Sequence, residues 1–392
     1  EYSAVIPVAW NALVNVLCQQ APYLRTTLAP EIARFSERLL ASNALSAAFT
    51  SSLLGYNGCP LEFTVSTSKP RALACTLDLF LPFYTEDRSP GAFTRHSRHV
   101  VGAADIPDTE PEALTYLQNR SQQPMRFSRW LGRKYASGGA SSKVYAEVPT
   151  DAFDGRREEE TGLPFSLAAC RQAGLSLLMI GYYPARPDGP KEYYFQWHSA
   201  HICFSDIAAV MDFFGGNDWL APMVSMLERA LRNRPVFPAT TYGFSLACDE
   251  DGGLESLTLF TMAPGFFGGN RQVYPALQAL LEENGLTMPL LQGAMEACVP
   301  LQFNVVGFSV NAQGQQALSC TFSPQHSYFD TLPVKPAAPA VHTAHPGLRA
   351  LLSQQSVSGA FPSWVRTPDG RWYRDENAFV TAQVLRTLDY TP

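Results

Sequence analysis

Apolar and polar positions along this chain change period repeatedly. Val14, Leu17, Leu28, Ile32, Leu39, Leu40 and Leu45 recur at roughly helical spacing through residues 1–50, punctuated by Pro22 and Pro30. Residues 58–80, GCPLEFTVSTSKPRALACTLDLF, then alternate in the two-residue rhythm of strands around a turn at Ser68-Lys69-Pro70. Residues 81–108 are polar and carry Pro and Gly, which predicts a loop, and Pro111 opens a short helix through Leu117.

Four more hairpins follow. The second runs from residues 127–135 through ASGGASS into KVYAEV at 143–148. The third joins LSLLMIGYY to KEYYFQW across PARPDGP, and the fourth joins YGFSLA (242–247) to LESLTLFTMA (254–263) across DEDGG. The fifth joins LQFNVVGFSV to ALSCTFS across NAQGQQ and ends at Ser323. Helical stretches separate them: LPFSLAACRQAG, residues 204–233 with a break at Gly215-Gly216, and residues 274–297 with interruptions near Gly285 and Pro289.

Helix and hairpin therefore alternate five times, at a spacing of roughly 45 to 70 residues, which reads as an internal structural repeat. Ten antiparallel strands with helices between them predict an α+β chain, in which the strands close into one barrel inside a ring of helices over residues 1–330. A ring of that width leaves a lumen, with alternate residues of each strand pointing into it. Residues 331–346 are rich in Pro and Ala and read as a linker. Residues 347–392 read as two helical pieces, GLRALLSQQ and DENAFVTAQVLRTLDY, joined by a loop around FPSWVRTPDGRWY. They either pack on the barrel or start a further helical module.

Composition narrows the function classes. Of 392 residues, 46% are hydrophobic and only 16% charged, enough for a large core and too apolar for disorder. A net charge of −6 argues against a general nucleic-acid binder. The eight cysteines have no CxxC or metal-like spacing and read as reduced core thiols. There is no apolar run of membrane-spanning length, and the opening EYSAVIPVAW lacks the basic segment of a signal peptide, so a cytoplasmic protein is expected.

Polar residues inside strand patterns are the candidate chemistry. Glu62 shares a face with Thr64 and Ser66; Lys143, Tyr145 and Glu147 share one in the second hairpin, and Lys191, Tyr193 and Phe195 one in the third. Taken alone, Glu62 and Arg71 also read as an edge hairpin with a solvated salt bridge, and Lys143 and Lys191 as exposed strand-start lysines. The recurrence of Lys-x-Tyr, as KVY and KEY, favours inward faces. Arg71, Lys143 and Lys191 then converge in a confined space that suits a diphosphate, with Tyr145 and Tyr193 beside a ligand cation. Asp249-Glu250-Asp251 reads as a solvated turn, and His198 with His201 near Cys203 is a poor zinc set. The chain has no GxxxxGK[ST], GxGxxG after a strand, or GxSxG, and none of the aspartate-rich Mg²⁺ motif of ordinary isoprenoid synthases.

GCPLEF followed closely by Arg71, KVY at 143–145 and the later YGFSLA resemble the dimethylallyltryptophan-synthase type of aromatic prenyltransferases, over roughly residues 10–325. The short link from Glu62 to Arg71 looks more like bacterial than fungal members. The resemblance implies the αββα-repeat (ABBA) barrel and transfer of a dimethylallyl or longer isoprenyl group from its diphosphate to an indole-type acceptor such as tryptophan. It implies secondary (alkaloid) metabolism, no obligatory Mg²⁺ or other cofactor, and a monomer or homodimer. Carried over by position, Glu62 matches the carboxylate that accepts the indole N–H, Arg71 and Lys143 match diphosphate ligands, and Tyr145 matches a shielding tyrosine. Lys191 with Tyr193 is a looser match to the family's third-hairpin Arg/Lys-x-Tyr pattern. The last two hairpins depart from the pattern: SLTLF (256–260) and LSCTF (318–322) put Thr258, Phe260 and Thr321 where the family shows further polar or tyrosine positions. A phenolic or polyketide acceptor, and a barrel that binds such ligands without chemistry, remain open alternatives.

Overall fold

The computed structural model describes residues 5–41, 52–55, 58–79, 90–101, 110–121, 125–149, 162–199, 201–232, 236–325, 363–366 and 372–375. The chain divides into two compact units, Glu1–Pro324 and Gln325–Pro392. In the first, ten strands pair antiparallel with their sequence neighbours: β1 (Leu61–Ser66), β2 (Leu73–Leu77), β3 (Arg129–Ala136), β4 (Gly139–Glu147) and β5 (Leu175–Tyr183). β6 (Arg186–Trp197), β7 (Tyr242–Cys248), β8 (Leu254–Met262), β9 (Leu301–Asn311) and β10 (Gln316–Pro324) complete the order, and β10 pairs with β1 to close the barrel. The expected α+β barrel is present.

Strand alternation divides the wall into two faces. Leu61, Phe63 and Val65 of β1, Leu73, Cys75 and Leu77 of β2, and Leu257 and Leu259 of β8 are buried in one continuous apolar core with the helices. The residues between them, such as Thr64, Ser66, Thr258 and Phe260, are only part-buried and make the inner face. Six of the eight cysteines lie in the buried set and two are exposed, all unpaired.

The helices that coat the barrel carry apolar stripes of ordinary spacing. α1 (Val5–Gln20) and α2 (Leu24–Ala41) bury Trp10, Leu13, Val14, Leu17, Leu24, Leu28, Ile32 and Phe35, with Trp10 and Phe35 stacked at 5.8 Å. Pro30 lies inside α2 rather than ending it. A helix expected to be loop, α3 (Pro90–Val101), turns Phe93, Val100 and Val101 inward. Thr94 and Ser97 fill the rest of its buried stripe, which is why its periodicity is weak in apolar residues alone. The later stretches resolve as α4 (Glu112–Arg120), α5 (Leu167–Gln172), α6 (Phe204–Phe213) and α7 (Leu220–Leu231), then α8 (Ala263–Phe267), α9 (Asn270–Glu283) and α10 (Pro289–Glu296).

In the second unit, part of the predicted loop around FPSWVRTPDGRWY is a hairpin, β11 (Ser363–Arg366) paired antiparallel with β12 (Trp372–Asp375). Trp364 and Val365 in one strand, and Trp372 and Tyr373 in the other, are strong strand formers. The Pro/Ala-rich stretch and the two helical pieces lie outside the described residues, as does Leu45.

One buried ionic network pins α2 to the wall. Glu31 accepts from Arg133 Nη2 at 2.9 Å and Nε at 3.2 Å and from Tyr135 Oη at 2.6 Å, while Arg133 Nη1 donates to Ser142 Oγ at 2.6 Å. Removing one member leaves a buried charge uncompensated, a loss of about 3–5 kcal/mol. Glu31→Ala is therefore expected to lower unfolding free energy by about that amount in urea titration, with Glu31→Gln less damaging because it still accepts.

Candidate active site

Register across the barrel decides which polar side chains meet. Glu62 lies opposite Thr76, Thr76 opposite Gly132, and Gly132 opposite Lys143, so the four occupy one row over β1 to β4. Three strand spacings separate Glu62 from Lys143, about 14 Å along the wall. Gly132 leaves that gap open, and a β-carbon there would stand 2.7 Å from Tyr145 Cε2, so the tyrosine ring lies over the glycine.

Glu62 stands at one end of this row with little to hold a charge. It is 7% exposed, and burial pushes its carboxyl up to about 8, against a hydrogen bond from Thr321 that favours ionisation. Thr321 Oγ1 already accepts from Val305 N at 2.9 Å, which leaves its own O–H to donate to Glu62. Thr321 sits where the β9–β10 register shifts, between Cys320 and Phe322. A residue placed in an apolar-looking LSCTF thus acts as the partner of the carboxylate.

Lys143 marks the other end. Its ammonium pairs with Glu192, donates to Tyr194 Oη at 3.2 Å, and lies 5.0 Å from the Tyr145 ring centroid and 5.5 Å from that of Tyr194. Burial alone would push Lys143 down, but Glu192 and the tyrosines outweigh it and the net shift is upward. Burial likewise acts to raise Glu192, yet Lys143, Ser245 and Tyr194 hold it below the usual carboxylate range.

The third hairpin needs a correction. Gly181 of β5 lies opposite both Tyr145 and Glu192, which puts Glu192 and Tyr194 on the lumen face with Lys143 and Tyr145. Lys191 lies opposite Tyr182, on the helix-facing side, and its Nζ donates to Gly189 O at 3.1 Å. Tyr193 is buried edge-on against Phe165 at 5.0 Å, and Phe195 packs beside it. KEY is one residue out of phase with KVY, so the inward pair reads Glu-x-Tyr rather than Lys-x-Tyr.

Arg71 stands exposed in the β1–β2 turn, and its carbonyl accepts from Tyr23 Oη. It stands apart from Glu62, which is buried toward the opposite end of the hairpin, opposite Thr76. Glu147, sharing the parity of Lys143, instead accepts from the backbone N–H of Arg126, Phe127 and Ser128 at 2.8–3.1 Å and fixes the start of β3.

Sequence reasoning missed two lysines. Lys134 of β3 lies on the lumen parity, and burial lowers it to about 8, helped by Lys69 and Lys143 nearby and opposed by Glu192. Lys69 comes from the β1–β2 turn. The signal was available in the alternation of Trp130, Gly132 and Lys134 within the expected strand 127–135. Beyond the lysines, the rings of Tyr145 and Tyr194 meet edge-on at 5.7 Å, and Tyr194 reaches Phe260 at 6.4 Å. Phe260 lies over Gly243 of β7, and Thr258 shares a 2.8 Å hydrogen bond with Ser309. Among the described residues no cluster of three or more His, Cys, Asp or Glu has metal-binding geometry, and no helix is long and apolar enough to cross a membrane.

Comparison with solved structures agrees with this architecture at low sequence identity. 5-Dimethylallyl tryptophan synthase from Streptomyces coelicolor, in complex with DMASPP and Trp, superposes with a TM-score of 0.57 at 13% identity, covering 81% of this chain and 95% of that one. The prenyltransferase PriB in its apo form gives 0.56 at 14%, covering 81% and 96%. The fold is the prenyltransferase barrel. AnaPT from Neosartorya fischeri shares it with a TM-score of 0.53 at 12% identity, over 80% of this chain and 91% of that one. No family model and no curated protein matches the sequence.

The barrel's Glu62 gives a signed stability prediction. The folded chain holds this proton up to about pH 8, whereas an unperturbed carboxyl releases it near 4.5. The folded state is therefore penalised progressively as pH rises from about 4.5 to about 8, and by a constant amount above that. Glu62→Gln removes the penalty, so its stability gain over wild type is expected to be small at pH 5 and on the order of a few kcal/mol at pH 9, read by thermal melts.

Proposed function

We propose that the protein is an aromatic prenyltransferase that moves a dimethylallyl group from its diphosphate to an indole-type acceptor. The observation that carries this reading is the spacing of opposite functions along one wall: Lys134 and Lys143 on β3 and β4, a buried carboxyl three strands from Lys143, and tyrosine rings beside the lysine end.

In this reading Lys69, Lys134 and Lys143 neutralise the diphosphate, with Arg71 as an outer ligand from the same turn as Lys69. They supply positive charge at the oxygens of the leaving group, where it develops as the allylic C–O bond breaks. The allylic cation is held against Tyr145 and Tyr194, and the ring of Phe260 extends the same apolar surface. Glu62, as a carboxylate, accepts the acceptor's N–H and strengthens the ring as nucleophile while the new C–C bond forms. Thr321 holds that carboxylate in place. The ring carbon then sheds its proton and aromaticity returns. Lys191 and Tyr193 have no part in this scheme. A protein of this kind would act without a membrane or nucleic acid, with the charge supplied by lysines rather than by an obligatory metal.

Incubation with dimethylallyl diphosphate and a panel of indoles and phenols, with EDTA present, tests the reading. Prenylated indole is expected. Product from phenols alone would move the acceptor to that class, and bound ligand without product would make the barrel a binding module. Lys134→Ala is expected to raise the donor dissociation constant by about 10- to 100-fold, since a charge-assisted contact contributes about 1.5–3 kcal/mol. An unchanged donor affinity would remove Lys134 from the site.

The pH profile follows from the same groups. Acceptor turnover needs ionised Glu62 and rises through about pH 8, while donor capture needs charged Lys134 and falls above about pH 8. A bell with both limbs near 8 is expected in steady-state rates, and Glu62→Gln should lose the rising limb together with most of the turnover.

A further inference from the structure

Lys143 is given to the diphosphate by the function proposed above, and the inference here rests on that reading. In the structure this lysine already has an anion, Glu192. Glu192 reaches it from two strands away because the intervening residue, Gly181, has no side chain; a β-carbon there would stand 2.6 Å from Lys143 Cε and 3.2 Å from Tyr194 Cε2. Tyr194 and Ser245 also favour the ionised form of the same carboxylate, so Glu192 stands as a charged partner of the lysine. The pair is not sealed: the side chains are 17% and 24% exposed, on the lumen face, where an entering ligand reaches both.

We infer that Glu192 is a specificity-determining residue that competes with the incoming diphosphate for Lys143. It pairs with the ammonium and is displaced by phosphate oxygens, which lowers affinity for every anion and selects for one carrying enough charge to take the lysine from it. Among the described residues Lys134 and Lys69 have no carboxylate at ion-pair distance, and they supply the attraction that draws the anion in.

Calorimetric titration of inorganic pyrophosphate into wild type, Glu192→Gln, Lys143→Gln, the double variant and Lys134→Ala tests this. Glu192→Gln is expected to bind about tenfold more tightly than wild type, Lys143→Gln more weakly, and the double variant like Lys143→Gln; a double variant about tenfold tighter than Lys143→Gln would overturn competition for the lysine. Glu192→Gln at or below wild-type affinity would overturn the inference while leaving the donor site intact, provided wild type binds and Lys134→Ala weakens it. If wild type does not bind pyrophosphate, both the donor site and the inference fall. Should Glu192→Gln fail to fold, Glu192→Ser takes its place with the same outcomes: tighter binding than wild type supports competition, and equal or weaker binding overturns it.

Discussion

A closed antiparallel barrel gives each strand one face toward the helices and one toward the axis, and it leaves no strand edge unpaired. Here the outer face is filled by Leu, Val, Phe and Cys against amphipathic helices, so polar chemistry collects on the inner one. The same period of two makes the inner face unforgiving. A shift of one residue in the phase of a strand exchanges every inward side chain for an outward one. Identity of the site residues is therefore a question of register before it is one of chemistry.

Enclosure then sets the charges. A buried carboxyl with one hydroxyl donor keeps its proton to about pH 8, as Glu62 does, and a buried ammonium flanked by other lysines is weakened to about 8, as Lys134 is. Lys143 and Glu192 escape both fates by pairing with each other. Glycines on the inner face make these contacts physically possible. Gly132 lies beneath Tyr145, Gly181 between Lys143 and Glu192, and Gly243 beneath Phe260. The wall thus alternates bulky groups with bare backbone, a pattern that packs rings and charges at close quarters without closing the lumen.

Much of this was legible from sequence. Five hairpins separated by helices predicted the ten-strand barrel, and the inward faces of β1 and β4 were read correctly from the placement of Glu62, Lys143 and Tyr145 in otherwise apolar strands. What failed did so for identifiable reasons. KEY shares its Lys-x-Tyr spelling with KVY, yet the cross-strand pairing places Glu192 and not Lys191 opposite Gly181. Lys134 lay inside the expected strand 127–135, on the face of Trp130 and Gly132, but the faces of that strand were not assigned from its alternation. Helix α3 carries Thr and Ser in its buried stripe, which apolar periodicity does not register. Cross-strand register is a property of pairs of strands and bulges, and single-strand alternation does not contain it.

The electrostatic state of the empty barrel follows from these pieces together. Glu62 is neutral at neutral pH, Lys143 and Glu192 cancel, and the net positive charge of the lysine end falls to Lys134 and Lys69. Such a lumen avoids the cost of holding several desolvated like charges without a ligand, a cost that three unpaired lysines on one wall would impose. It also means that an anion meets its full complement of cations only by rearranging the wall, since the third lysine is freed as the first two engage. Charge held as an ion pair keeps two desolvated groups compensated in the wall. In this barrel the carboxylate that stabilises the empty state and the one proposed to activate the acceptor are different residues on opposite sides of the lysine row, which lets one change without disturbing the other.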